Sequence, residues 1–382
     1  MPRRTRSHIA VYLLISLAGA AFCTVMALRS PTAWNVDFNE FYSAGKLVGS
    51  GRLYDWAALR PIELEHTLRT VPFGRIPAFA IAFVPFSVMP YTVARALWLI
   101  LGFAALAAVV ALWPLSRWER LAAALCWSIP AAMCLAFGQD SVLFLFFVAL
   151  GLALLRKERD FWAGVALSAC AAKPHLALLL PVLLAARGKW KSLQGGIVGG
   201  AVMLLVSFAA EGADWPARLL SLSRAPEFNP APDRMPTLAG LLSMFGGSLP
   251  VQIALSIAVV AACWILSRRL PLASAMALAL AGGLLVSPHA YGYDALLLLP
   301  ALMLPFETGH PLWTQTWALL LMTPLPYLIL LSPRETAGHL AVSGFTLTLF
   351  ALELYRIRRP VPVQKVVDAA VGSSTRKPVG PT

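Results

Sequence analysis

Charge is scarce in this chain. Only 13% of its 382 residues are Asp, Glu, Lys or Arg, while 59% are hydrophobic and the mean hydropathy is +0.72. So little polar surface cannot coat a soluble globule of this length, which excludes the soluble enzyme and binding-protein classes and makes the chain an integral membrane protein. Acid is scarcer than base: 18 Asp and Glu against 31 Lys and Arg leave a net charge of +13. The basic residues stand in short clusters between apolar runs, as expected of cytoplasmic loops facing anionic lipid, so no nucleic-acid partner is expected. Cysteine is also sparse. Cys23, Cys126, Cys134, Cys170 and Cys263 lie inside apolar runs without C-x-x-C spacing, and indicate neither a disulfide framework nor a thiolate metal site. The carboxylates form no D-x-D pair and the six histidines are dispersed, so no metal is expected either. A P-loop and a G-x-G-x-x-G turn are both missing, and no nucleotide cofactor is expected.

What is present is a succession of apolar segments. Arg3, Arg4 and Arg6 precede an apolar run from His8 to Leu28, long enough to cross a bilayer and read as a retained first helix with its amino end in the cytoplasm. Residues 29–75 form a polar and aromatic outer loop, with helical spacing around Asn39 to Val48 and Trp56 to Leu68 that predicts short helices lying along the membrane surface. The run 76–90 carries Pro77, Pro85 and Pro90 and is read as re-entrant or interfacial, since proline removes amide donors that lipid cannot replace. Basic anchors at Arg117 and Arg120, Arg156 to Arg159, Arg187 to Lys191, Arg268 and Arg269, and Arg356 to Arg359 alternate with connections poor in Lys and Arg. The expected fold is therefore an all-α multi-span bundle of about twelve transmembrane helices with both ends inside. That count requires 76–90 not to cross and the proline-broken stretch 161–186 to make two short passes. A polar tail, 360–382, is expected to be disordered.

On this topology five polar segments face outward: 29–75, Gly138 to Asp140, Ala172 to His175, Glu211 to Leu249, and Ser287 to Asp294. Ionisable groups in apolar surroundings are expensive and usually line a cavity or pathway. The reading NVDFNEFYSAGKLVGSGRLYDW from Asn35 puts Asp37, Glu40 and Tyr42 where the chain emerges from the first helix. AAKPH carries Lys173 and His175, and SPHAYGYD carries His289, Tyr291, Tyr293 and Asp294. Convergence of these segments on one site is expected.

Three stretches together carry a resemblance: DFNEFYSAGKLVGSGRLYD, the run from FGQD at Phe137 to Trp190, and SPHAYGYDALLLLPAL. They resemble the polyprenyl-phosphate-dependent membrane glycosyltransferases of family 87, relatives of the phosphatidylinositol mannoside mannosyltransferases. The likeness runs from about Asp37 to Pro300. It implies a GT-C fold over residues 1–359, a site at the outer leaflet of a bacterial cell (inner) membrane, facing the periplasm or exterior, and a polyprenyl-phosphate-linked sugar donor. It also implies a lipid or glycan acceptor and inversion at the sugar carbon, with mannose the family's best-known cargo. The family's acid in the first outer loop falls on Asp37 and its late histidine on His289. The chain departs from the family where a Y-x-P-P-F-like stretch reads FGRIPAF, from Phe73 to Phe79.

The chemistry supports those assignments by a separate route. A sugar hydroxyl is a poor nucleophile at neutral pH, and a carboxylate within hydrogen-bond reach helps by taking its proton as the new bond forms. Asp37 is the candidate base; the plain alternative, compatible with it, is that Asp37 caps a helix beginning near Phe38. Glu40 is the alternative base, or an acid of the first turn of that helix. A departing polyprenyl phosphate gains negative charge, which cations or hydrogen-bond donors stabilise. His289, Lys173 and Arg75 are the candidates, against a structurally bonded histidine and a snorkelling lysine as the plain alternatives. Gln139, Asp140, His175, Tyr42, Tyr291 and Tyr293 are expected to line the same cavity, the first three more as structure than as chemistry. Gly195, Gly196, Gly199 and Gly200 sit in an apolar helix and read as close helix packing. A transporter or flippase of lipid-linked saccharides is the competing function; it would show two related halves, and no internal repeat stands out.

Overall fold

The computed structural model describes residues 6–28, 36–224, 232–330 and 336–358, and all regular structure among them is helical. Residues 29–35 of the outer loop and the polar tail 360–382 lie outside the described residues. A chain in hydrocarbon must satisfy its backbone internally, and helices do so segment by segment. Four helices are long and apolar enough to cross a bilayer alone: Tyr91–Leu112, Trp190–Glu211, Leu249–Arg269 and Gly338–Arg358. A fifth crossing results if Trp118–Trp127 and Ile129–Phe137, bent by 63° at Ser128, are one span.

By length and composition the described residues thus hold four or five candidate spans, where about twelve are expected. Several of the predicted spans are short or broken. Leu272–Val286 has only 15 residues, roughly 22 Å at 1.5 Å per residue, against a hydrocarbon core of about 30 Å. Every residue from Ala275 to Leu285 is buried, so this helix faces protein on all sides and has no bilayer thickness to match. The predicted span 295–306 is a 3-10 turn, Gly292–Leu298, followed by two single helical turns broken by Pro300 and Pro305. Residues Tyr293 to Pro305 are all buried, and irregular backbone at membrane depth is tolerated when protein encloses it. The stretch 161–186 becomes Asp160–Ser168, a 3-10 turn at Ala169–Ala172, and Leu179–Ala186, two short helices meeting at Lys173.

The outer segment is built differently from a helix resting on a surface. Val36–Leu47 is buried nearly all round, with Phe38, Asn39, Phe41, Ser43 and Ala44 at 0% exposure. An aromatic layer holds it: Phe41 meets Phe79 and Phe83 at ring distances of 5.0 and 5.1 Å, and Phe83 meets Trp98 at 4.7 Å. Such rings bury large apolar areas and favour tilted contacts of this kind. The second helix, Trp56–Leu64, starts at Asp55, whose carboxylate accepts from the Ala57 amide, and turns Leu59 and Glu63 inward. Residues 76–90 form two helices too short to cross, Pro77–Ala82 and Val84–Ser87.

The chain then runs back and forth between two ends. Tyr91–Leu112 starts beside the aromatic layer, where Tyr91 lies 5.5 Å from the Phe38 ring. The bent pair returns to Gly138, Ser141–Arg156 leaves again, and Asp160–Ala172 and Leu272–Val286 return to Lys173 and His289. Basic residues gather at the far ends: Lys189 pairs with Asp160 at 3.0 Å, and Arg356 reaches Glu353, itself bound to His310 at 2.7 Å.

The glycines of Trp190–Glu211 let it lie backbone to backbone on Asp160–Ser168. A Cβ on Gly195 would overlap the Phe161 carbonyl, and one on Gly164 would overlap the Ser192 carbonyl, whereas Gly200 faces open space. Gly195→Leu is expected to destabilise by about 1–3 kcal/mol or more through overpacking. Gly200→Leu should change little; thermal unfolding in detergent compares the two.

Candidate active site

Four of the five polar segments meet at the end of the molecule beneath Val36–Leu47, around a buried chain of alternating charge. The Arg75 guanidinium grips Asp140 with two bonds, Nε to Oδ2 at 3.0 Å and Nη2 to Oδ1 at 3.3 Å. Lys173 Nζ lies 3.1 Å from the same carboxylate and 2.8 Å from Asp294 Oδ1. It also donates to Ser141 Oγ at 2.7 Å and lies 3.2 Å from Gln139 Oε1. An ammonium has three protons, so Lys173 is fully occupied and, at 3% exposure, sits beneath the surface. Ser141 completes the ring by donating to Asp294 at 2.6 Å, and Asp294 Oδ2 accepts the Tyr291 amide at 2.9 Å.

Local folding explains why these groups face one another. Gly138 ends Ile129–Phe137 in the left-handed region at φ 78°, a turn only glycine makes cheaply, and a Cβ there would overlap Phe38. Its carbonyl accepts the Trp98 indole proton at 2.8 Å, and Arg95 donates to the last carbonyls of that helix, Leu135 and Ala136, at 2.7 and 2.8 Å. Gln139 and Asp140 are thereby presented toward the outer segment. On the other side, the 3-10 turns at Ala169–Ala172 and Gly292–Leu298 deliver Lys173 and Asp294.

Asp37 stands in the first turn of Val36–Leu47, partly exposed, and accepts a hydrogen bond from Gln139. Gln139 also donates to the Tyr293 hydroxyl at 2.9 Å. From there an aromatic ladder leads outward: Tyr293 to Tyr291 at 5.2 Å, Tyr291 to His289 at 5.1 Å, and His289 to His175 at 5.6 Å between ring centroids. Arg75, His175, His289 and Tyr291 keep exposed edges, while Gln139, Asp140, Lys173, Tyr293 and Asp294 form a buried floor.

The electrostatics divide the carboxylates. Burial raises Asp37 to about 6, against the Gln139 hydrogen bond and the positive charges of Lys173 and Arg75. Burial also raises Glu40 well above its ordinary value and Glu63 to about 8. For Asp140 burial is outweighed by Arg75 and Lys173, which hold it well below the usual carboxylate range. Burial lowers His289 to about 4 and His175 to about 3, so both rings are neutral at pH 7.

Not every predicted residue joins this centre. Glu40 lies at its edge, 3% exposed, its carboxylate accepting the Gly74 amide at 3.1 Å. Tyr42 points elsewhere: its hydroxyl donates to the Met89 carbonyl at 2.8 Å and its ring meets Tyr91 and His66. It is five residues beyond Asp37, about 140° around the helix. The described start of the fifth polar segment also stays apart. Glu211 accepts the Gly49 amide at 2.8 Å and pairs with Arg218, joining the far end of the outer segment. Asp294, named in the sequence only as part of a converging segment, and Ser141, not singled out there, belong to the centre. The signal for Asp294 was Lys173 itself, since a buried ammonium requires counter-charge. Among the described residues no three His, Cys, Asp or Glu side chains are grouped to hold a metal ion.

Apolar helices of spanning length, with an ionic centre enclosed at one end, define a membrane protein with a polar site at one end of its helical body. The sequence profile of glycosyltransferase family 87 matches residues 77–288, more than half of the chain, and the chain belongs to that family of membrane glycosyltransferases. The match contains Asp140, Lys173 and His175; Asp37, Glu40 and Arg75 precede it, and His289 is the first residue after it. No curated protein and no solved structure matches the chain.

Removing Lys173 leaves Asp294 buried without a cation and Asp140 with Arg75 alone. Lys173→Met is expected to destabilise by about 3–5 kcal/mol, read as a lowered unfolding midpoint in detergent.

Proposed function

We propose that the chain is an inverting glycosyltransferase of GT-C architecture that moves a hexose from a polyprenyl-phosphate donor to a hydroxyl of a lipid or glycan acceptor. Mannose is the sugar this reading favours, on the family resemblance. Residues 1–359 are its catalytic unit. The site opens at the outer face of a bacterial inner membrane, because the basic helix ends lie at the opposite end of the bundle.

One observation carries the assignment of Asp37 as general base. Of the carboxylates in and around the centre, Glu40, Glu63, Asp140 and Asp294 are at most 3% exposed, and Asp37 alone keeps an open face. Its raised pKa near 6 makes it a stronger base than an ordinary aspartate while leaving it ionised at pH 7. The step balances simply. The acceptor oxygen bonds to the anomeric carbon as its proton passes to an Asp37 oxygen. The bond from that carbon to the donor phosphate oxygen breaks, its electron pair stays with the phosphate, and the sugar carbon inverts.

The leaving phosphate gains charge that the site offsets. Arg75 uses three of its five N–H donors on Asp140 and the Gly74 carbonyl, leaving donors for a phosphate oxygen. His289, neutral, contributes as a hydrogen-bond donor with its ring on the exposed edge. Lys173 contributes through its field and by holding Asp140 and Asp294 in place, because its protons are already committed.

Asp37→Asn is expected to lower sugar transfer from polyprenyl-phosphate donors by about 10²–10⁴-fold with donor binding retained; unchanged transfer would remove Asp37 as base. The sign of the pH dependence follows from the raised pKa. The basic form is lost as pH falls through about 6, so kcat/KM should be level above pH 7 and fall by about tenfold per unit below pH 6. A rate that is level down to pH 5 contradicts the assignment. Release of the polyprenyl phosphate with each transfer separates this reaction from lipid flipping, in which the cargo moves intact.

A further inference from the structure

The end opposite the ionic centre holds a second feature. Against Trp118–Trp127, the first arm of the pair bent by 63° at Ser128, a wedge between helices forms a groove of about 510 Å³. Its walls include Ile15 of the first helix, Trp127, Met303, Phe306 and Met322, and its single charged residue is Arg120. The volume lies within the range of sites that take a small ligand.

The polar side chains of Trp127 and Thr323 in the groove are satisfied within the protein. The Trp127 indole donates to the Ile15 carbonyl at 2.8 Å, and the Thr323 hydroxyl donates to the Leu320 carbonyl at 2.6 Å. Nearby acids are engaged elsewhere: Glu119 with Arg117 at 3.7 Å, and Glu307 with the Ser116 hydroxyl at 2.8 Å. Among the described residues no carboxylate pairs with Arg120, whose guanidinium lies 5.5 Å from the Phe306 ring centroid. A cation at one edge and a hydrocarbon wall behind it match an amphiphile with one anionic head.

We propose that this groove is a structural lipid site, occupied by an anionic glycerophospholipid of the cytoplasmic leaflet with its phosphate on Arg120 and one acyl chain in the wedge. The position fits. Arg120 opens Trp118–Trp127 next to Arg117, one of the basic anchors of the cytoplasmic side, where lipid phosphates lie. Apolar voids exclude water and forfeit dispersion contacts, so a hydrocarbon chain is the filling this wedge favours. Ile129–Phe137, roughly 13 Å of helix at 1.5 Å per residue, separates the groove from Gly138 and the candidate active site. The lipid therefore packs against Trp118–Trp127, away from the candidate active site, and takes no part in the reaction.

Native mass spectrometry of the full chain, released from micelles containing phosphatidylglycerol and phosphatidylcholine with the same acyl chains, tests this directly. The wild type should retain one phosphatidylglycerol with roughly fivefold preference, the effect of one basic residue near a lipid surface. Arg120→Gln should abolish the preference, Arg117→Gln should keep it, and Thr323→Trp should lower retention of both lipids by filling the groove. Asp37→Asn should keep the preference even where transfer is lost, so failure of the proposed reaction and failure of the lipid site are read separately. Equal retention of the two lipids by the wild type, a preference that survives Arg120→Gln, or an equal loss with Arg117→Gln overturns the proposal. So does stronger retention of a polyprenyl phosphate, or a lipid-free dimer.

Discussion

The alternating chain Arg75, Asp140, Lys173, Asp294 ties together segments that are far apart in sequence: the outer segment, the end of the bent pair, the 3-10 turn before Pro174 and the turn after His289. Desolvating four charges is costly, and their attraction offsets that cost only where each is paired and hydrogen-bonded. Here Ser141, Gln139 and the Tyr291 amide supply the remaining bonds. The members depend on one another, because removing one leaves at least one neighbour with less counter-charge in a buried setting. That dependence makes the broken helices at 161–186 and 292–307 intelligible. They do not span a bilayer on their own; they deliver charged and polar ends to one place and are covered by helices that do face lipid.

The same centre explains how one aspartate can differ from its neighbours. Asp140 and Asp294 are each matched to a cation, whereas Asp37 receives its hydrogen bond from the neutral Gln139 and feels Arg75 and Lys173 only at longer range. Burial then dominates and its proton affinity rises. The aromatic layer of Phe38, Phe41, Phe83 and Trp98 matters here, since it holds the helix carrying Asp37 and keeps water from its inner face. In the proposed reaction, the field offered to a leaving phosphate thus comes from the groups that cross-link the fold.

Much of this was legible in the sequence, for a definite reason. Ionisable residues inside apolar runs, as in AAKPH and SPHAYGYD, are conspicuous because burial makes them expensive, and those residues do come together. Pairing was not legible, since Lys173 and Asp294 are 121 positions apart and nothing local links them. The enclosure of Val36–Leu47 was not legible either: a polar, aromatic helix between apolar runs reads as a surface helix unless the rings that cover it, from Phe79, Phe83 and Trp98, are known to be there. The span count turns on a related ambiguity. A run such as Ala275 to Leu285 is equally apolar whether it faces lipid or protein, and only the latter allows it to be short.

The central claim is that charge pairing between distant segments holds the candidate site together, and a double-mutant cycle on Arg75 and Asp140 tests it most directly. Unfolding free energies in detergent for Arg75→Gln, Asp140→Asn and the double variant should show strong coupling, with the double variant at least about 1.5 kcal/mol more stable than the sum of the single losses implies. Strictly additive losses would mean that the two groups do not share a buried contact, and would contradict the account.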